Sequence, residues 1–278
     1  MGQLACLGDC IMTLEFLAAT SLGDRFYNAF ILFDRWKLYL EGLETTLIVA
    51  AFACLVGVSI GILLALINYL NKKTGKLKVL SAIANAYITL VRGTPVVLQM
   101  FIMYLVVFVS VPIDIKIGNA VWESGGSKLI GGLTFGINSG AYVAEIVRAG
   151  FESVDDGQME AGRSLGLSTA QTMSSVVTPQ AVRNTLPPLF NEFITLVKET
   201  AVIGYVGVYD LGKIPSIIQS RTFDIFPPLI IAAVLYLVVV FILTFILRLL
   251  EKSLSKSDRG NYKRIRVRKK MYGKKEVA

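Results

Sequence analysis

The sequence predicts an all-α integral membrane protein with about five transmembrane helices, and three observations carry that expectation. Hydrophobic residues make up 54% of the 278 positions, with a mean hydropathy of +0.62. Soluble domains average roughly 45–50% apolar residues with glycine counted, and this chain exceeds that without counting its 24 glycines. Several long apolar runs hold few charges, and about 20 such residues cross a bilayer as a helix. Lysine and arginine gather in two segments, as they do in cytoplasmic loops.

The first clear run covers residues 43–70. The second, residues 79–111, is too long for one crossing and is interrupted by Arg92-Gly93-Thr94-Pro95, so part of it should tilt or lie at the surface. Residues 129–147 and 186–208 form the third and fourth runs, the latter carrying charges, and residues 229–250 form the most uniformly apolar fifth. The basic segments are "NKKTGKLK" after the first run and the tail from Lys252, which contains "KRIRVRKK". Five crossings put both on one side, with the N-terminus outside and the C-terminus inside. Residues 11–39 mix apolar and charged positions and read as an amphipathic segment on the outer surface. The expected organisation is an extracytoplasmic segment (1–41), a membrane domain (42–250) with a polar loop at about 151–183, and a basic cytoplasmic tail (251–278) that anchors orientation and anionic lipid and is not a nucleic-acid site.

Composition excludes several chemistries. The chain has no histidine, which removes Ser-His and Cys-His nucleophile pairs and imidazole zinc sites. Cys6, Cys10 and Cys54 make no C-x-x-C pair; a Cys6–Cys10 disulfide is possible on an oxidising face, but three cysteines do not make a disulfide framework. The first forty residues lack a basic start followed by a clean apolar core, so no cleavable signal peptide is expected.

Between the third and fourth runs lies "FESVDDGQMEAGRSLG", residues 151–166, with four acidic side chains and one arginine. Its inner part suits a short helix. Asp155 or Asp156 can cap the start, Ala161, Arg163 and Leu165 favour helix, and Gly166 can supply a left-handed terminator. A second helical stretch is expected from Ser168 toward Val177, before Pro179. Roughly 35 residues is long for a connection, and such loops are usually functional or structured.

This stretch resembles the glutamate-alanine-alanine loop of ABC importer permeases, whose short coupling helix docks in a groove of a separate ATPase subunit. Glu160, Ala161 and Gly166 match the motif; Gly162 replaces its second alanine, which weakens the helix by about 1 kcal/mol. Val176 and Thr178-Pro179 stand where isoleucine and leucine-proline are typical. "VRGTPVVLQMFIMYL", "SGAYVAEIVRAG" and "PQAVRNTLPPLFNEFITLVKET" are similar to permeases of the polar amino acid subfamily, which carries histidine, glutamine or glutamate, arginine or lysine, cystine and opines. The resemblance covers residues 42–250. It implies a type I ABC importer permease fold in the bacterial cytoplasmic membrane, with a second permease copy or paralogue, an ATPase dimer and an extracytoplasmic solute-binding protein as partners. It also assigns ATPase coupling to Asp156, Glu160, Ala161, Gly162, Arg163 and Gly166.

The residues themselves suggest a solute path. Asn191, Glu192, Thr195, Lys198 and Glu199 recur at helical spacing in an apolar helix and make one stripe. Ionisable groups at membrane depth cost at least about 2.5–3.5 kcal/mol and usually line a cavity or find a partner. Both charge signs suit a zwitterionic solute; the competing reading is pairing with a neighbouring chain. Arg92, Thr94 and Gln99 sit at the broken second run, where discontinuous helices surround substrate in transporters; a plain proline kink is the alternative. Gly132, Gly136, Gly140 and Ala144 form a row of small residues, echoed by Gly57 and Gly61, and predict close helix packing.

No G-x-x-x-x-G-K-[ST] phosphate loop occurs, so ATP and Mg are expected in a partner ATPase and no cofactor in this chain. A self-sufficient carrier or channel using Glu192, Lys198 and Glu199 is the rival class, but no inverted repeat is visible. A membrane-embedded enzyme ranks third, for want of a nucleophile-base pair or metal cluster.

Overall fold

The structure is a computed structural model describing residues 21–107, 116–117, 120–121 and 127–272, with side chains for 21–107 and 128–254. The expectations for Cys6, Cys10, residues 11–20 and 108–111, and the end of the tail lie outside the described residues. The chain divides into two units, residues 1–145 with 195–240 and residues 146–194 with 241–278.

In the first unit, α1 (Leu22–Phe30) leads through a 3-10 turn (Leu32–Asp34) into α2 (Arg35–Thr74). Ser21 caps α1, its hydroxyl accepting from the Asp24 amide. The spanning helix starts earlier than expected, because buried Arg35, Tyr39, Gly42 and Thr46 recur every three to four residues and extend its inward face through residues 35–39. It ends where Gly75 adopts φ +67 and its N–H bonds Asn71, with Lys72 and Lys73 against the negative end of the helix dipole. At 1.5 Å per residue its 40 residues reach about 60 Å, well beyond a hydrocarbon core of about 30 Å.

The second apolar run breaks where the sequence places Gly93 and Pro95. Helix α3 (Lys78–Arg92) stops, and α4 (Val96–Ile102) continues into a π turn (Met103–Val107). The two halves are bent by 108°. A two-residue antiparallel ladder, Lys116–Ile117 with Ala120–Val121, follows. Helix α5 (Ser127–Glu152) packs its glycine row on α2. A Cβ on Gly136 would lie 2.6 Å from Val56 Cβ, and on Gly140 2.7 Å from Ile60 Cγ2. The reciprocal row does the same, Gly61 meeting Val143 at 2.4 Å and Gly57 meeting Ser139 at 2.9 Å. Glycine here buys backbone approach that no side chain permits.

Among the described residues, two helices are long and apolar enough to cross a membrane, residues 32–74 and the Phe226–Leu254 part of α10 (Phe226–Tyr272); the bent pair makes a third candidate. Helices α5 and α8 (Thr178–Glu199) occupy the third and fourth runs, but their Gly, Ser, Thr, Asn and charged residues lower their hydropathy. Leu55, Leu63, Ile83, Leu237 and Phe241 point outward, as lipid-facing residues do. Helix α10 passes residue 250 without interruption.

In the second unit the long polar connection is nearly all helical. Helix α6 (Gly157–Ser164) is followed by α7 (Thr169–Thr172), whose N-terminus is closed by a reciprocal Ser168–Gln171 capping box. A π turn (Met173–Val177) then runs straight into α8, so the second stretch does not stop before Pro179 as the sequence suggested. Pro179 follows directly on that π turn, and the local bulge accommodates a residue that brings a ring and no N–H into a continuous helix. Pro187 and Pro188 lie inside that helix.

Candidate functional site

Helix α6 is an exposed polar handle on a small apolar base. Asp156 occupies the position before the first helical residue but makes no side-chain cap; Asp155 instead accepts from the Gly157 amide at 2.8 Å. Glu160, Ala161 and Arg163 face outward, while Gly162 is buried. Val154, Val177 and Ala181, with Phe151, Met159 and Met173, form the base beneath it. The helix ends in a Schellman motif: the Gly166 amide bonds the Arg163 carbonyl at 3.0 Å and the Leu167 amide bonds Gly162 at 3.2 Å. Gly166 takes φ +83, the left-handed role expected of it, and leaves Leu165 exposed beside it. Side-chain amides tie the handle down, Gln180 donating to Gln158 at 3.2 Å and Asn184 to Ser153 at 2.8 Å. At the end of α5, Gly150 leaves room for Thr185, whose Oγ1 would stand 1.9 Å from an added Cβ.

The broken span holds the second group. The Gln99 amide spans the break, donating to the Val91 carbonyl at 2.8 Å and to Thr94 Oγ1 at 2.7 Å. Thr94 in turn donates to Leu90, and the Gly93 amide bonds Thr89, so the backbone groups freed by Pro95 find partners. Asn138, buried in α5, donates to Gln99 Oε1 at 3.0 Å. Arg92 lies 3.7 Å from Glu145 and stacks 5.3 Å above the Tyr142 ring. Tyr87 donates to the Ile137 carbonyl. Sequence reasoning named Arg92, Thr94 and Gln99 but missed Asn138 and Glu145. The available signal was an amide inside a row of small residues, and a carboxylate within "SGAYVAEIVRAG".

The stripe on α8 is continuous as a helix. Glu192, Thr195 and Glu199 are half-buried, while Asn191 and Lys198 are exposed. Helix α8 then tightens into a 3-10 segment (Thr200–Val206), which packs against α4 and ends at Gly207 with φ +86. The broken span therefore lies beside the continuation of α8 beyond Glu199.

One further polar centre was not visible in the sequence. Asp210, fully buried in the loop after that segment, accepts the Gly212 amide at 2.9 Å, the Lys213 amide at 3.0 Å and the Tyr236 hydroxyl at 3.3 Å. Burial pushes its carboxyl up to about 6, against those hydrogen bonds, which favour the anion. Beside it the Leu211 amide bonds Thr46 at 3.2 Å, and Gly42 lets the loop approach α2. Among the described residues no group of acidic or cysteine side chains could hold a metal ion.

A chain of apolar helices with a polar, helix-built handle and a hydrogen-bonded break in an apolar span is the membrane part of a transporter. Residues 57–256 match the binding-protein-dependent transport system inner membrane component, and the chain belongs to that family. A protein of Rickettsia bellii, provisionally named the glutamine transport system permease GlnP, is 39% identical over 77% of this chain and 91% of its own length. The arginine transport system permease ArtQ of Bacillus subtilis is 35% identical over 79% and 93%. A crystal structure of an amino acid ABC transporter with histidines aligns with a TM-score of 0.68 at 37% identity, over 78% of this chain and 94% of that one. The protein is thus a multi-pass membrane permease of an ABC transport system, a transport subunit whose ATPase and binding-protein partners are separate chains.

Proposed function

We propose that this permease carries a polar amino acid inward across the bacterial cytoplasmic membrane by alternating access, paired with a second copy or a paralogue. The observation that carries the reading is the α6 handle: Glu160, Ala161 and Arg163 stand exposed on a short helix pinned to α7 and α8. A chain without a phosphate loop needs such a contact to receive work from an ATPase dimer that binds ATP and Mg. Asp156, Gly162 and Gly166 shape the handle, and the other three meet the ATPase. The handle is cytoplasmic in this reading, which places the N-terminus outside and the basic tail inside.

Arg92, Thr94, Gln99, Asn191, Glu192, Thr195, Lys198 and Glu199 form the solute path. Carboxylates on α8 attract the ammonium group, and Lys198 with Arg92 balances the carboxylate. Amino acids carried by the relatives support this choice of cargo. Reconstitution with the ATPase and binding protein, followed by uptake of a panel of labelled amino acids, tests it. ATP-dependent uptake of at least one polar amino acid is expected. Uptake without the ATPase would sink the reading in favour of a carrier.

A further inference from the structure

Two arginines at one end of α2 lack any carboxylate among the described residues. Arg35, the first residue of α2, is only 6% exposed; its Nη1 donates to the Asn28 carbonyl, and its Nε is buried without a partner. The Tyr39 hydroxyl, one turn further, is likewise buried and unpartnered. Ile218, one turn before Arg221 on α9 (Ile214–Thr222), packs in one buried cluster with Tyr39, which brings Arg221 to the Arg35 end of α2, like charge near like. The nearby acids are taken: Asp34 pairs with Lys37 at 2.7 Å, and Asp224 holds Arg25 through two bonds of 2.6 and 2.9 Å. Removing a guanidinium from water beside a second one is unfavourable unless an anion joins them.

The aromatic neighbours say which anion. Phe33 and Phe223 each stand two residues from one of these arginines, and both adopt left-handed backbone, φ 56 and φ 54. For a bulky residue that conformation is a strained outlier. Both rings lie outward, 81% and 72% exposed, and Arg35 stacks 5.6 Å from the Phe33 ring. Exposed phenylalanine is unfavourable in water and favourable at the edge of a bilayer, where α2 enters the apolar phase. Trp36, with Lys37 over its ring at 5.5 Å, marks the same level.

We propose that Arg35 and Arg221 bind the phosphate of an anionic phospholipid headgroup, with Phe33 and Phe223 seated in the acyl boundary on either side. Arg221 supplies the exposed donors and Arg35 the inner charge. The site fixes α1, α9 and the start of α2 against the leaflet at that end of the span.

The test uses the full chain with Trp122→Phe, which leaves Trp36 as the only tryptophan. In detergent micelles, brominated phosphatidylglycerol should quench Trp36 at about fivefold lower mole fraction than brominated phosphatidylcholine, the effect of about one basic residue at an anionic surface. Arg35→Gln is at risk of misfolding because Arg35 is buried, so Arg221→Gln carries the test, and it should remove that difference. Equal quenching by the two lipids, or an unchanged difference in Arg221→Gln, overturns the proposal. Loss of the difference on adding millimolar inorganic phosphate at matched ionic strength overturns the lipid source in favour of a free anion. Unchanged quenching in Arg221→Gln together with weakened stimulation by the binding protein assigns the pair to a protein carboxylate instead, and also overturns it.

Discussion

Thr172 of α7 occupies the space a side chain on Gly162 of α6 would need: a Cβ there would meet its Cγ2 at 2.3 Å and its Oγ1 at 2.7 Å. Thr172 cannot simply turn away, because its hydroxyl donates to the Ser168 carbonyl at 3.0 Å. The glycine that weakens α6 as an isolated helix is what lets α6 close on α7.

Gly162→Ala should therefore destabilise the protein by about 1–3 kcal/mol, the usual penalty of overpacking, despite its better helix propensity. Gly162→Ala with Thr172→Ala should recover most of the loss, since the two positions are coupled. Thermal unfolding of the four proteins of this cycle in detergent measures it. Additive effects would show that the contact does not govern the site.

The outward face of α6 should matter for coupling and not for folding. Glu160→Lys is expected to insert and unfold like the parent, because Glu160 is exposed. It should abolish the rise in ATPase rate that loaded binding protein causes in vesicles containing all subunits. Normal stimulation and uptake would remove α6 from the ATPase contact.

Gln99→Leu should cost about 1–3 kcal/mol, because it strands the buried Asn138 amide without its acceptor. Adding Asn138→Leu should restore part of the stability by removing both polar partners. If the pair also lines the solute path, uptake stays low in the double variant. Recovered uptake would mark the pair as a structural clasp at the break.

Asp210 should give the fold a pH dependence of unusual sign. Its folded pKa of about 6 lies above the unfolded value of about 3.9, so the folded state holds the extra proton between them. This group's contribution is fully present below about pH 4 and is lost as pH rises through about 6. Asp210→Asn should lower the midpoint overall, since one oxygen that accepts a backbone amide is replaced, and should erase that slope. Scanning fluorimetry from pH 4 to 8 reads both; an identical slope in the variant would place the titration elsewhere.

What the sequence determined by itself were properties the chain carries locally. Apolar runs, the break at Gly93 and Pro95 and the left-handed Gly166 follow from hydropathy and backbone preference, which need no distant partner. The glycine rows were legible because a four-residue period puts small residues on one face wherever the helix goes. The tertiary structure alone decided what meets them. Asn138 reaches Gln99 across 39 positions, and Thr46 receives the Leu211 amide across 165. Asp210 became a buried acid only because Gly42 and Tyr236 close around its loop. The extent of the helices was also beyond the sequence: α2 begins at Arg35 and α8 runs through two prolines, because packing against neighbouring helices compensates local preferences that would end them. Hydropathy says that a residue must leave water; only the folded chain says which partner receives it.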